Sequence, residues 1–227
     1  MRPSIAAIIL TYNEELNLEK CLKSIADLAE EIFVVDSYST DETLEIAKKC
    51  EANIVKHPFK NQADQFNWAL DNLPIKSDWI LKLDADEEIL PELKNEILRV
   101  LPETPSNVSG FNIKRRVYFM NQWIRHGGYY PIWFLRLWRK GMARAEEREM
   151  DEHIILTQGQ SDKLENDFID NNKKGLKNWI LKHKDYALRE AQEVRIGKIG
   201  SGRKRNFYYR MPPFLRVIFY FIYRYFF

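Results

Sequence analysis

Four short apolar runs, separated by segments with helical spacing, constrain this chain more than any other feature. Ile5–Leu10 (IAAIIL), Glu31–Asp36 (EIFVVD), Asn53–Lys56 (NIVK) and Trp79–Leu83 (WILKL) are too short for buried helices. The first, second and fourth are also too uniformly apolar for half-exposed strands, so they read as strands covered on both faces. Between them, Glu14–Leu28 places Leu18, Leu22, Ile25 and Leu28 on one helical stripe. Glu42–Cys50 is a second helix, and Ala63–Leu73, with Phe66 and Leu70, a third. Strand–helix alternation predicts an α/β domain with a mostly parallel sheet flanked by helices. Ligands of such sheets bind beyond the carboxyl ends of the strands. The loops Thr11–Glu15, Asp36–Asp41 and Asp84–Glu88 all follow strand ends and are expected to meet on one edge.

Past Leu101 the pattern changes. Pro102 and Pro105 mark a linker, and Gly110–Phe119 and Trp133–Trp138 read as strands around a turn at Gly127-Gly128. Met150–Leu156 carries the acidic pair Asp151-Glu152, and Lys173–Val194 reads as a long helix. The chain divides into residues 1–101, residues 102–193 as the second half of the same domain, and a tail at 194–227. The whole chain holds 35 basic and 33 acidic residues, a net charge of +2, but the tail alone holds eight basic residues and no acidic one. An acidic body with a basic tail suggests an anionic partner for the tail.

Phe214–Phe227, after Pro212-Pro213, is aromatic, with Arg216 and Arg224 spaced along it. A helix that short does not cross a bilayer about 30 Å thick. Aromatics with arginines suit a membrane surface; a helix packed on the domain and a homo-oligomer contact are the alternatives. Ending on Phe226-Phe227 also fits a chain cut short. The segment is too apolar for a nucleic-acid arm, so no nucleic-acid partner is expected. Two cysteines, Cys21 and Cys50, make no disulfide scaffold, and no leader precedes Ile5; a cytoplasmic setting is expected.

The clearest chemistry is Asp84-Ala85-Asp86 at a strand end. Two carboxylates this close repel unless a cation lies beside them. Mg²⁺ or Mn²⁺, which keeps waters and takes substrate phosphates, is the natural partner; a solvated acidic loop continuing through Glu87 and Glu88 is the alternative. Asp36 at its strand end suits a ribose or base edge, whereas Asp41 reads as a helix cap. There is no GxGxxG and no GxxxxGK[ST], so a diphosphate would be held by a metal rather than by a glycine-rich loop.

Thr11-Tyr12-Asn13-Glu14-Glu15, Val34-Val35-Asp36-Ser37-Tyr38-Ser39-Thr40-Asp41 and Asp84-Ala85-Asp86-Glu87 lie in register with the motifs of the family 2 glycosyltransferases, and the chain resembles that family and its GT-A fold over its first hundred or so residues. Gly127-Gly128-Tyr129-Tyr130-Pro131 with Arg136-Leu137, and Trp179–Ala191, resemble more loosely the branch that builds bacterial lipopolysaccharide core and related surface glycans. The resemblance implies that Thr11, Tyr12 and Glu14 line the nucleotide site, with Tyr12 against the base. It implies Asp36 on the base or ribose, Gln62, Gln65 and Asn67 near the nucleotide, Asp84 on ribose or sugar, and Asp86, with Asp84, on the metal. An acidic general base is implied at Asp151-Glu152, with Glu152 preferred and His153 adjacent. The implied reaction is inverting transfer from a nucleotide sugar, UDP by family frequency, to a glycolipid or polysaccharide hydroxyl at the cytoplasmic face of an inner membrane. Of Arg136 and Arg139, expected on opposite faces of one strand, Arg136 is the candidate phosphate ligand. A nucleotidyltransferase, or a non-catalytic protein keeping the fold, is the alternative. The first would usually carry a glycine- and Arg/Lys-rich first loop, and Thr11–Glu15 is acidic.

Overall fold

The computed structural model describes residues 3–146, 153–195 and 211–226. In chain order the elements are β1 (Ile5–Thr11), α1 (Leu18–Ile25), β2 (Glu31–Asp36), α2 (Thr43–Lys49), β3 (Asn53–Lys56), α3 (Gln62–Asn72), β4 (Trp79–Asp84), β5 (Glu87–Ile89), α4 (Pro91–Val100), β6 (Val108–Phe119), β7 (Gln122–Trp123), β8 (Trp133–Arg139), β9 (Ala143–Ala145), β10 (Ile154–Leu156), β11 (Gln160–Asp170), α5 (Gly175–Arg195) and α6 (Pro213–Phe226). One sheet runs β3-β2-β1-β4-β8-β6-β11-β5, with β7 beside β6; β9 and β10 form a separate pair. β3, β2, β1, β4, β6 and β11 share one direction, and β8, β5 and β7 oppose it. The mostly parallel sheet expected from the alternation is present, as a mixed sheet in its second half.

Two apolar layers sandwich the sheet. One joins Ile5, Ala7 and Ile9 of β1 and Trp79, Leu81 and Leu83 of β4 to Leu18, Cys21, Leu22 and Ile25 of α1 and to Leu93 and Ile97 of α4. The other joins Ala6 and Ile8 to Ala63, Phe66 and Ala69 of α3 and to Trp138 of β8. β1 therefore buries both its faces, which is why its run is unbroken. The stripe on α1 repeats at i, i+3, i+4 and i+7, and each such fully buried aliphatic side chain contributes about 1.5–3 kcal/mol.

The helix expected over Glu14–Leu28 starts only at Leu18. Glu14–Asn17 form a turn instead, because the Glu14 N–H donates to Thr43 Oγ1 and its carboxylate is held by Asn17 and Lys174. α4 and β11 were not expected from the sequence. α4 begins with Pro91 in its first turn, where no N–H is needed. β11 is mostly polar and buries few apolar side chains, Leu164 and Phe168 among them, so it lacks a readable alternation.

Arg136 and Arg139 depart from expectation. The β6–β8 ladder pairs Phe111 with Leu137 and then Asn112 with Leu135, so Arg136 is an extra residue on β8. A bulge of this kind re-aims a side chain. Arg136 therefore lies with Phe134 and Phe168, and Arg139 lies over Trp79, all on the α1/α4 side of the sheet. The two arginines share a face, where an unbroken strand would have opposed them.

Candidate active site

The carboxyl ends of β1, β2, β4, β6 and β11 define one edge, since these strands are co-directional. Loops Thr11–Glu15 and Ser37–Thr43 are tied to each other there. Ser37 N–H donates to the Thr11 carbonyl, Asn13 N–H to Ser39 Oγ at 2.8 Å, and Thr40 N–H to Asn13 Oδ1 at 2.8 Å. Glu15 N–H donates to Asp41, and Glu42 N–H to Glu15. Asp41 also accepts from the Thr43 N–H and hydroxyl at the start of α2, although the N-cap position itself falls one residue later, at Glu42, rather than at Asp41 as expected. Asn13 and Tyr38 both sit at positive φ, 53° and 61°. Asn tolerates that region, but a tyrosine there is strained and is held by the surrounding bonds. The rings of Tyr12 and Tyr38 stay more than half exposed above this scaffold.

Asp36 is fully buried rather than open at the edge. Its oxygens accept from Thr11 Oγ1 at 3.1 Å and from the Ser39 N–H at 2.8 Å and hydroxyl. Gln65 is buried and exchanges hydrogen bonds with Ser37, whereas Gln62 is exposed at the start of α3. Asn67, expected near the nucleotide, is committed to a strand pair on the second half of the chain. Its amide makes two 2.9 Å bonds to the backbone of Ala145, securing β9 to α3 beside a cleft lined by Trp68, Asp71 and Arg144.

The acidic group lies at the ends of β4 and β11. Asp84 accepts from Lys82 Nζ at 2.9 Å and from Arg136 at 3.2 Å, and its N–H donates to Glu87 at 2.9 Å. Burial would raise its pKa, but the Lys82 and Arg136 charges outweigh that and hold the carboxyl well below the usual range. Arg136, expected to hold a phosphate, instead lies buried between Asp84 and Glu87. Burial disfavours its charge, and those two carboxylates more than restore it. Asp86 is half-buried and accepts from the Asn172 amide at 2.8 Å, while its carbonyl takes the Asn171 N–H. The segment 171–174 thus straps the acidic turn, and Lys174 also reaches Glu14. Burial pushes Glu14 up against the pull of Lys174.

Sequence reasoning missed Asp170. It ends β11, pairs with Glu87 across the ladder, and lies 3.4 Å from Arg115. Burial, then the charges of Asp86 and Asp84, push its pKa up to about 6 against the pull of Arg115. Nothing local marks it, because the strand that delivers it is polar. Among the described residues, no three His, Cys, Asp or Glu side chains are placed to hold a metal ion together. Asp84, Asp86 and Asp170 nonetheless gather at this edge, where like charge raises Asp170, and carboxylate oxygens are the donors that a hard divalent cation takes together with waters and substrate oxygens. Asp151 and Glu152, the expected base, lie outside the described residues.

The raised pKa of Asp170 has a consequence for stability. A carboxyl with a higher pKa folded than unfolded costs stability as pH rises from about 4 through 6. With chelator present, Asp170→Asn protein should match the parent below pH 4 and exceed it by up to about 3 kcal/mol above pH 6. Denaturant titrations across that range check this; a pH-independent difference refutes it.

A family model described as glycosyl transferase family 2 matches residues 6–160. An uncharacterized glycosyltransferase of Rickettsia bellii (strain RML369-C) is 42% identical over 93 residues, 41% of this chain and 31% of that protein. The lipopolysaccharide core biosynthesis glycosyltransferase LpsC of Rhizobium meliloti (strain 1021) is 27% identical over 230 residues, 95% of this chain and 80% of that protein. The matches to the Rickettsia relatives span about a third of their length, 31–32%. Among solved structures, S. aureus TarS 1–349 in complex with UDP-GlcNAc superposes with a TM-score of 0.54 at 16% identity, covering 76% of this chain and 60% of that one. That likeness is one of fold.

Proposed function

The chain belongs to glycosyl transferase family 2, and on that premise we propose that it moves a sugar from a nucleoside diphosphate donor to a hydroxyl of a glycan or glycolipid precursor, with inversion. The observation that carries this reading is the arrival of two interlocked polar loops and three carboxylates, Asp84, Asp86 and Asp170, at one sheet edge. The exposed ring of Tyr12 offers a surface for the base. Thr11 and Asp36, bonded to each other, and Gln65, bonded to Ser37, would shape the loop beneath the nucleoside. Asp86 would be the main ligand of a bound cation. Asp84, whose oxygens are engaged by Lys82 and Arg136, is held charged and would meet the ribose or sugar beside that cation. A bound Mg²⁺ or Mn²⁺ would supply positive charge to the departing diphosphate. Glu152 takes the acceptor hydroxyl's proton as that oxygen attacks the anomeric carbon opposite the leaving group; this assignment rests on the family resemblance.

The test is a panel of nucleotide sugars assayed for hydrolysis and transfer with Mn²⁺ or Mg²⁺. At least one donor should turn over, and chelator should abolish its turnover. Turnover of none, or turnover untouched by chelator, overturns the proposal.

We also propose that the protein works at the cytoplasmic face of an inner membrane, held there by α6. No helix among the described residues is long and apolar enough to cross a membrane. α6 exposes Phe214, Val217, Ile218, Phe221 and Ile222, a surface suited to the headgroup boundary. Protein lacking residues 207–227 should lose flotation with anionic liposomes; undiminished flotation rejects the anchor.

A further inference from the structure

We propose that the sheet face carrying Lys114 and Arg116 is an acceptor subsite for an anionic saccharide, one bearing a carboxylate or phosphate. The inference rests on the transferase reading and names its acceptor class. Lys114 pairs with Asp167 and Arg116 with Ile169 in the β6–β11 ladder, one residue out of phase with the Arg115–Phe168 and Val117–Asp170 pairs. Their side chains therefore leave the opposite face from Asp170.

On that face the ring of Trp123 carries Arg116 at 4.8 Å and Arg125 at 4.4 Å, and the ring of Trp133 carries Lys114 at 5.4 Å and Lys163 at 4.6 Å. The acid among them is Asp167, whose side chain is 1% exposed and takes Arg116, Lys114 at 3.2 Å and the Tyr130 hydroxyl at 3.0 Å. Asp162, beside Lys163 in sequence, pairs with Phe111 of the other face and accepts its neighbour's N–H. Asp167 thus pairs with two of the four cations, Lys114 and Arg116, and Arg125 and Lys163 lie on the indole rings beside them. A guanidinium lying on an indole keeps its N–H edge free for the two oxygens of a carboxylate or phosphate. The indole N–H of Trp123 is itself shielded from water and has no acceptor among the described residues.

Position separates this surface from the donor. β6 is parallel to β4 and runs to the same edge, and Lys114 is three residues, about 10 Å, short of the partner of Asp170. Asp36 on β2 lies four strand steps from β6, about 19 Å across the sheet. A nucleoside over β1 and β2, with its diphosphate at Asp86, leaves the β6 surface to the acceptor.

The probes are tetragalacturonate, neutral maltotetraose, inorganic phosphate and UDP with Mn²⁺, each titrated by tryptophan fluorescence and calorimetry. The Arg125→Gln/Lys163→Gln protein is compared with the parent, because neither side chain is ion-paired to Asp167 and its folding should be unaffected. The parent should bind tetragalacturonate in a salt-sensitive way and well above maltotetraose. The double variant should bind it about tenfold more weakly or worse, with UDP affinity unchanged. Equal binding of the two saccharides, an unaffected variant, or full displacement by equimolar phosphate overturns the proposal. A parallel loss of UDP affinity also overturns it, since the surface would then serve the donor. If the parent binds the acidic saccharide but no nucleotide, the transferase reading fails while the anion site stands.

Discussion

Asp86→Ala protein is expected to lose sugar transfer by about a hundredfold to a thousandfold or more, the cost of removing one main electrostatic support of a departing diphosphate. Its fold should survive, because Asp86 is half-buried and the bond it loses is a single one from the Asn172 amide. UDP binding in the presence of Mn²⁺ should weaken in step. Glu152→Gln is the informative companion: it should lose transfer to a similar degree yet keep its donor affinity, because a base acts on the acceptor. Initial rates and nucleotide titrations on both variants separate the roles. Intact turnover in the two would end the assignment.

Arg136→Met should destabilise the protein by about 3–5 kcal/mol, a large share of the 5–15 kcal/mol that holds a domain together. The methionine fills much of the volume between Phe134 and Phe168, so the loss is electrostatic. Glu87, with a side chain 2% exposed, keeps its bond to the Asp84 N–H; burial already pushes its carboxyl well above the usual range against the pull of Arg136, so it is left neutral or unpaired, and Asp84 loses one of its two cations. Removing one member of a buried pair costs far more than replacing both. Arg136→Met/Glu87→Leu should therefore recover part of the loss, and guanidinium unfolding curves measure each step. If the single variant costs under about 1 kcal/mol, the buried network is not what holds the acidic turn. On the proposed reading Arg136 bears on the substrate only through Asp84, so a variant that stays folded should still bind UDP, more weakly.

The alternation that marks β1 to β4 was legible because it is local. Whether a run such as Ile5–Leu10 is buried on both faces is written in its own composition, and the loop after it is then bound to emerge at the carboxyl edge. Thr11, Asp36 and Asp84 could accordingly be assigned to one edge from their positions in the chain. Their exposure could not. Asp36 reads as a ligand-facing acid, yet the partners that bury it, Thr11 and Ser39, come from two different loops. Asn67 lies on the same helix as Gln65 but serves β9, which the sequence did not reveal.

The amino-acid order alone determined the kind of sheet, the edge where its polar loops emerge, and the acidic turn after β4. Each depends on neighbours a few positions apart, where helical and strand periodicities are readable. Only the tertiary structure decided that Asp170 joins that turn, that a bulge swings Arg136 onto the face of Arg139, and that Asp167 lies against Lys114 and Arg116. Those placements depend on the register in which β11, β6 and β8 pair. Register is set by ladder bonds between residues far apart in the chain, and a slip of one residue would send every side chain to the other face.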